Sequence, residues 1–286
     1  MDIERLTPTE LAALEALARY RFLIPAQMMR LGVTASDRHL YVALRALSAR
    51  TRAPIGKLDF GALPGHGRLP VVYFLTRHGA ELVEDLHGDG VPVAVPAHVR
   101  LFQRDYFHRL NTVDAHIAVR RWADRAGANL DLFDTYFDHG QTAEHGRPGA
   151  RTRVALSTGR SLVPDAVLAF TLAGVTRVCA VEMVNGSRTA RVEDQVGAYM
   201  HALAEGAIEA AYQAGHGVRV LLIFESEAGL ELARARLAGR DALTRFASHF
   251  FLKTLSQLQA DFVPGWRRLN GERSDLFTSD RPPGPA

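Results

Sequence analysis

The sequence predicts an α+β protein of two domains, a small helical domain that ends in a hairpin and a larger one with helices on a sheet. Three observations carry that prediction. Residues 1–90 place three helical stripes ahead of any strand-like run, residues 97–277 alternate strand-like runs with helical stripes, and Gly88–Pro96, GDGVPVAVP, parts them with the Gly/Pro spacing of a linker. With 286 residues, 47% of them apolar and 23% charged, the chain can bury a core in each part. Only the tail, Thr278–Ala286, ending RPPGPA, is expected to be disordered.

The first domain opens at Thr7-Pro8-Thr9-Glu10, where Thr7 caps a helix, Pro8 fits its first turn and Glu10 completes a capping box. Leu11, Leu14, Leu17 and Ala18 form its apolar stripe. A short helix, Pro25–Leu31, is closed by Gly32, and Ser36-Asp37 starts a third helix in which Leu40, Ala43, Leu44 and Leu47 face inward. A Gly/Pro-rich segment, Pro54–Pro70, leads into the strand Val71–Leu75, and Thr76 caps a helix over Ala80–Leu86. Helix, short helix, basic helix, hairpin is the order of a winged helix-turn-helix, whose third helix enters the major groove while the wing follows the phosphates. Charge agrees: between Arg30 and Pro70 the bases Arg30, Arg38, Arg45, Arg50, Arg52, Lys57 and Arg68 face only Asp37 and Asp59. Double-stranded DNA is therefore the expected partner, with Arg38, His39 and Arg45 in the groove and Arg50, Arg52, Lys57 and Arg68 on phosphates.

The second domain opens with a long amphipathic helix, about Val99–Ala126, then a strand, Leu130–Phe137. Asp138–Arg153 is polar and reads as a mobile loop. Leu162–Leu172 and Val175–Val184 read as strands covered on both faces, joined by a two-residue turn at Ala173-Gly174. Pairing Leu172 with Val175 sets Asp165 directly across from Glu182 on one face of the sheet. Two carboxylates so placed in an apolar setting either share a proton or hold a hard divalent cation such as Mg²⁺. In the following helix Val192, Gln195, Val196, Tyr199 and Leu203 fall on one stripe, which brings Gln195 and Tyr199 to the same neighbourhood. Farther on, Val218–Phe224 reads as a buried strand, and Glu227–Leu237 and Ala242–Leu258 as helices, the last with Phe246, Phe250, Phe251 and Leu255 inward.

A Pro-Asp on one strand, a Glu on the next and Gln-x-x-x-Tyr on the succeeding helix resembles the core of the PD-(D/E)xK nuclease fold, in its Gln-Tyr variant. The resemblance implies an α/β nuclease-like domain with Asp165, Glu182, Gln195 and Tyr199 as catalytic residues, active or vestigial, and with Asp165 and Glu182 as metal ligands. It also implies a lysine two residues after the glutamate; Val184 stands there instead. Arg188 or Arg191 could supply charge, but a guanidinium serves poorly as a base. Over nearly the whole chain, Leu75-Thr76-Arg77-His78-Gly79, His108-Arg109-Leu110-Asn111 and Leu162–Ala166 together resemble the replication-relaxation family of plasmids and conjugative elements. Members often carry an acid two positions after the glutamate and a base on the helix, where this chain has Val184 and Gln195.

That resemblance implies a DNA-binding accessory protein of mobilisation or replication, with a relaxase or another mobilisation protein as partner and little or no nuclease activity. A metal-dependent DNA endonuclease using Asp165 and Glu182, or a transcriptional regulator, would be the alternatives, and a homodimer stays open. The chain has no Gly-rich loop with Gly-Lys-Ser/Thr and no His-apolar-His triplet, which argues against nucleotide hydrolysis and relaxase nicking. No run approaches membrane-spanning length, so no membrane partner is expected. The single cysteine, Cys179, sits in a predicted strand as a small buried hydrophobe, so neither a disulfide framework nor a zinc cluster is expected, which suits the cytoplasm. A net charge of +3 with a pI near 9.2 permits nucleic acid without requiring it.

Overall fold

The computed structural model describes residues 6–88, 105–144, 147–186, 189–215, 217–238 and 240–277. The chain forms two compact units, Met1–Val113 and Asp114–Ala286. Most of the expected linker, the start of the long helix and the proline-rich tail lie outside the described residues.

In the first unit α1 (Pro8–Tyr20), α2 (Pro25–Arg30) and α3 (Asp37–Ser48) precede β1 (Ile55–Leu58), a small hairpin of β2 (Ala62–Leu63) and β3 (Gly67–Arg68), β4 (Val72–Leu75) and α4 (Arg77–His87). The expected capping box forms: the Thr7 backbone N–H donates to Glu10 Oε2 at 2.8 Å, and the Glu10 N–H donates to Thr7 Oγ1 at 3.3 Å. Leu40, Ala43, Leu44 and Leu47 of α3 are all buried. β1 and β4 pair antiparallel from Ile55–Leu75 to Leu58–Val72, and Leu23 bridges Tyr73 on the other edge of β4. The Thr-x-x-Gly turn into α4 has a steric reason. Thr76 Oγ1 donates to Ala53 O at 2.7 Å and accepts from the Gly79 N–H, while a Cβ on Gly79 would come within 2.0 Å of Pro54 O.

The boundary between the units falls within α5 (Tyr106–Ala126). The second unit continues with β5 (Asn129–Thr135), β6 (His139–Glu144), β7 (Arg147–Ala150), β8 (Val154–Ala155), β9 (Ser161–Leu162), β10 (Ala166–Leu172) and β11 (Val175–Val184). Then come α6 (Thr189–Ala204), α7 (Ala207–Tyr212), β12 (Val218–Phe224), α8 (Glu227–Leu237), α9 (Asp241–Thr244), β13 (Phe250–Thr254), α10 (Leu255–Ala260), β14 (Trp266–Arg267) and β15 (Arg273–Ser274). Seven strands form a mixed sheet in the order β15-β14-β13-β12-β11-β10-β5, with β11, β12 and β13 mutually parallel and the other pairs antiparallel. Alternation along the strands splits the core into two layers. Val167, Ala180, Val220, Leu222 and Phe250 pack with residues of α6 and α8, while Leu168, Cys179, Val181, Ile223 and Phe251 pack with Trp122 of α5 and Leu258 of α10. The architecture is thus mixed α+β, with a mixed sheet covered on both faces.

Three expectations are corrected. Ala242–Leu258 is not one helix: its centre is the strand β13, with Phe250 and Phe251 fully buried on opposite faces. Apolar residues at 246, 250, 251 and 255 satisfy helical spacing as well as a strand covered twice, and pairing with β12 decides between them. The signal that divides them is Thr254-x-x-Gln257, a second capping box, which opens α10. Leu162–Leu172 is broken at Pro164-Asp165, because proline cannot donate to a ladder, and Leu162 pairs with Val154 instead. The polar stretch 138–153, read as a loop, carries the antiparallel pair β6–β7.

The hairpin turn is as the sequence requires. Leu172 pairs with Val175, and both central residues have positive φ, 50° at Ala173 and 79° at Gly174, the requirement of a type I′ turn. Alanine pays a steric penalty there that asparagine largely avoids. Ala173→Asn is therefore expected to raise unfolding free energy by about 0.5–1 kcal/mol, seen as a higher urea midpoint at constant m value.

Candidate functional site

The β10–β11 register continues one step past Ala166–Val181 to Asp165 and Glu182, and the backbone holds that step. The Asp165 N–H donates to Val181 O at 3.0 Å, and Asp165 Oδ2 accepts from the Met183 N–H at 2.7 Å. From behind, the Asp165 carbonyl accepts from the Tyr136 N–H at 3.0 Å, and the Pro164 carbonyl accepts from Thr152 Oγ1 at 2.7 Å. Glu182 lies on the face covered by α6. Its Oε1 accepts from Gln195 Nε2, and its Oε2 accepts from the Tyr199 hydroxyl at 3.1 Å. All four residues singled out from sequence therefore meet at one place. Gln195 and Tyr199, one turn apart on α6, hold the carboxyl from the same side.

Both carboxyls are closed off, with Asp165 6% and Glu182 4% exposed. Burial, and then the charge of Asp165, push the Glu182 carboxyl well above the ordinary glutamate range, while the Tyr199 hydrogen bond and Arg191 only partly oppose this. Burial together with the two carboxylates likewise raises the Tyr199 phenol, which stays a donor. The rise favours the protonated form of Glu182, which can donate to Asp165. Like charges so placed in a poorly solvated setting repel if both ionise.

The pair fits a divalent cation incompletely. Mg²⁺ asks for six oxygens in near-octahedral array, whereas both Glu182 oxygens already accept hydrogen bonds and no group of three His, Cys, Asp or Glu side chains suited to a metal occurs among the described residues. Val184, where the nuclease pattern has lysine, is packed in the apolar layer with Val192 and Phe224. The one lysine buried in this sheet is elsewhere. Lys253 on β13 donates to Asp261 O at 2.5 Å and Pro264 O at 2.7 Å, and burial pulls its ammonium down to about 8. β-strand alternation puts it on the face away from α6, with Phe251 and Trp266. It fastens the segment after α10, and no spacing in the sequence announces that role.

The residues expected on DNA separate into two kinds. Arg38, His39 and Arg45 are exposed on α3, opposite its buried stripe, and Lys57 is exposed on β1. Arg52 and Arg68 are exposed too, at 3.7 Å from Glu81 and 2.7 Å from Asp59 respectively. Arg50 departs from the expectation. It is half-buried and bonds the buried Glu10 at 3.1 Å, tying the end of α3 to α1. Burial would raise that carboxyl, but the Thr7 N–H and Arg50 outweigh it and hold it below the usual range. Arg50 thus serves as a tie within the fold.

No family model, curated protein or solved structure matches this chain.

The direction of the Glu182 shift fixes a pH dependence. A carboxyl raised in the folded state stabilises the fold fully below its unfolded value near 4.5, and that stabilisation is lost as pH rises through the folded value. Glu182→Gln keeps the shape without the titration. Between pH 5 and 7, below the range where Lys253 titrates, the melting temperature of Glu182→Gln relative to the native chain is expected to rise with pH. A difference that is flat over that window would mean that the pair is not sharing a proton.

Proposed function

We propose that this protein is a double-stranded DNA-binding accessory factor of plasmid or conjugative-element mobilisation or replication, of the replication-relaxation kind. In this reading the first unit is a winged helix-turn-helix, and the second is a nuclease-like PD-(D/E)xK domain acting as a scaffold for DNA or a relaxase-type partner. The observation that carries it is α3. It follows a short helix, precedes a hairpin, buries Leu40, Ala43, Leu44 and Leu47, and turns Arg38, His39 and Arg45 outward. A helix with that division can enter a major groove while its inner face holds the fold. The second unit supports the nuclease-like part through its central antiparallel pair bearing Asp165 and Glu182, preceded by α5 and followed by α6 with Gln195 and Tyr199. Val184 and the closed carboxyls support a scaffold over efficient hydrolysis, since an absent general base or charge clamp forfeits about 10²–10⁴-fold in rate. Among the described residues, no helix is long and apolar enough to cross a membrane.

Binding to duplex DNA is expected to weaken steeply with salt, by about 0.9 log unit per log unit of salt for each phosphate neutralised. Arg45→Glu should reduce affinity about tenfold or more, whereas Arg50→Glu should chiefly lower the melting temperature, because it breaks the tie to Glu10. Fluorescence anisotropy and thermal melting on the two variants separate these effects. Equal affinity for the native chain and Arg45→Glu would remove α3 from the interface.

A metal-dependent endonuclease is the second reading, and the meeting of Asp165, Glu182, Gln195 and Tyr199 favours it. Incubating supercoiled and linear DNA with the full chain and Mg²⁺ or Mn²⁺ decides between them. No cleavage above background is expected; cleavage that Asp165→Ala and Glu182→Ala both abolish would establish the nuclease instead.

A further inference from the structure

Most large apolar side chains of the described residues are covered, and five are exposed: Tyr41, Val42, Leu63, Val163 and Leu232. Two of the five are neighbours on α3, Tyr41 at 55% and Val42 at 61% exposure. Single exposed apolar residues are ordinary on any surface. What sets this pair apart is its frame. Arg38, Tyr41, Val42 and Arg45 follow the three, four and seven spacing of one helical stripe, so the apolar pair stands between two exposed guanidinium groups.

A second copy of this chain is a poor occupant for such a stripe, because pairing it with itself would bring four guanidinium groups around one small apolar contact. Duplex DNA matches it. Its phosphates meet the arginines, and its major groove offers one apolar group, the C5-methyl of thymine, beside guanine O6 and N7 acceptors suited to arginine. Resting on the reading of the first unit as a DNA-binding domain, we propose that Val42 is a specificity-determining residue that packs on a thymine methyl, with Arg38 and Arg45 directed at flanking guanines or phosphates. The recognised sequence then contains at least one thymine whose methyl, rather than its hydrogen-bonding edge, is read.

The test uses the full chain and removes only the methyl. A bound sequence is selected from a randomised duplex pool, and each thymidine in it is replaced in turn by deoxyuridine, with affinity measured at fixed salt. At one or two positions deoxyuridine should weaken binding about fourfold, the worth of one buried methyl. Val42→Ala should erase that preference at the same position while leaving the salt slope unchanged, and Val42→Ile should keep it. Val42 is exposed, so neither change threatens the fold. Indifference to deoxyuridine everywhere, or a preference that survives Val42→Ala, overturns the inference while leaving DNA binding standing. Selection of no preferred sequence does the same. A complete lack of duplex binding overturns the underlying reading as well. Self-association lost in Val42→Ala, with DNA affinity unchanged, would assign the patch to a dimer contact instead.

Discussion

The second unit depends on the register between β10 and β11. Side chains alternate along each strand, so a slip of one residue in either would turn its whole set to the other face. In the observed register Val167 and Ala180 meet the α6 layer, while Leu168, Cys179 and Val181 meet the α5 layer. Glu182 belongs to the first set, and only there can Gln195 and Tyr199 reach it. The turn at Ala173-Gly174 sets this register at one end, with two consecutive residues at positive φ. At the other end Pro164 stops the ladder, which leaves Asp165 to bond the β11 backbone at Val181 and Met183.

Burial then decides what two opposed carboxyls can do. In water both would ionise, but with 6% and 4% exposure the protonated form of Glu182 is favoured, and an amide and a phenol donor hold its two oxygens. Through Gln195 and Tyr199 the network ties the sheet to α6. Val184 points the same way. It extends the apolar layer on the Glu182 face, and apolar surroundings favour the neutral form of a carboxyl.

In the first unit, charge of one sign serves two purposes. Arg45 and Arg50 are close in sequence and identical in type, yet one faces outward on α3 and the other reaches back to a glutamate buried beneath a capping box. Composition counts both toward a basic surface. Only the position of Glu10, forty residues earlier, draws Arg50 inward.

Local chemistry was legible from the residues alone. The caps at Thr7, Ser36 and Thr76, the inward stripe of α3, the strands β11 and β12, the hairpin turn and hence the meeting of Asp165 with Glu182 follow from short-range rules that need no knowledge of the rest of the chain. What escaped was whatever a distant partner decides. Phe250 and Phe251 could have lain along a helix until β12 offered a strand edge, and residues 139–144 and 147–150 became paired strands that their polar composition does not advertise. Lys253 gained its depressed ammonium, and Arg50 its carboxylate, from groups that the fold brings beside them. Hydrogen-bonding and solvation energies depend on what surrounds a group in space, so the sequence determined which side chains this protein has to place, and only the tertiary structure decided which of them face water.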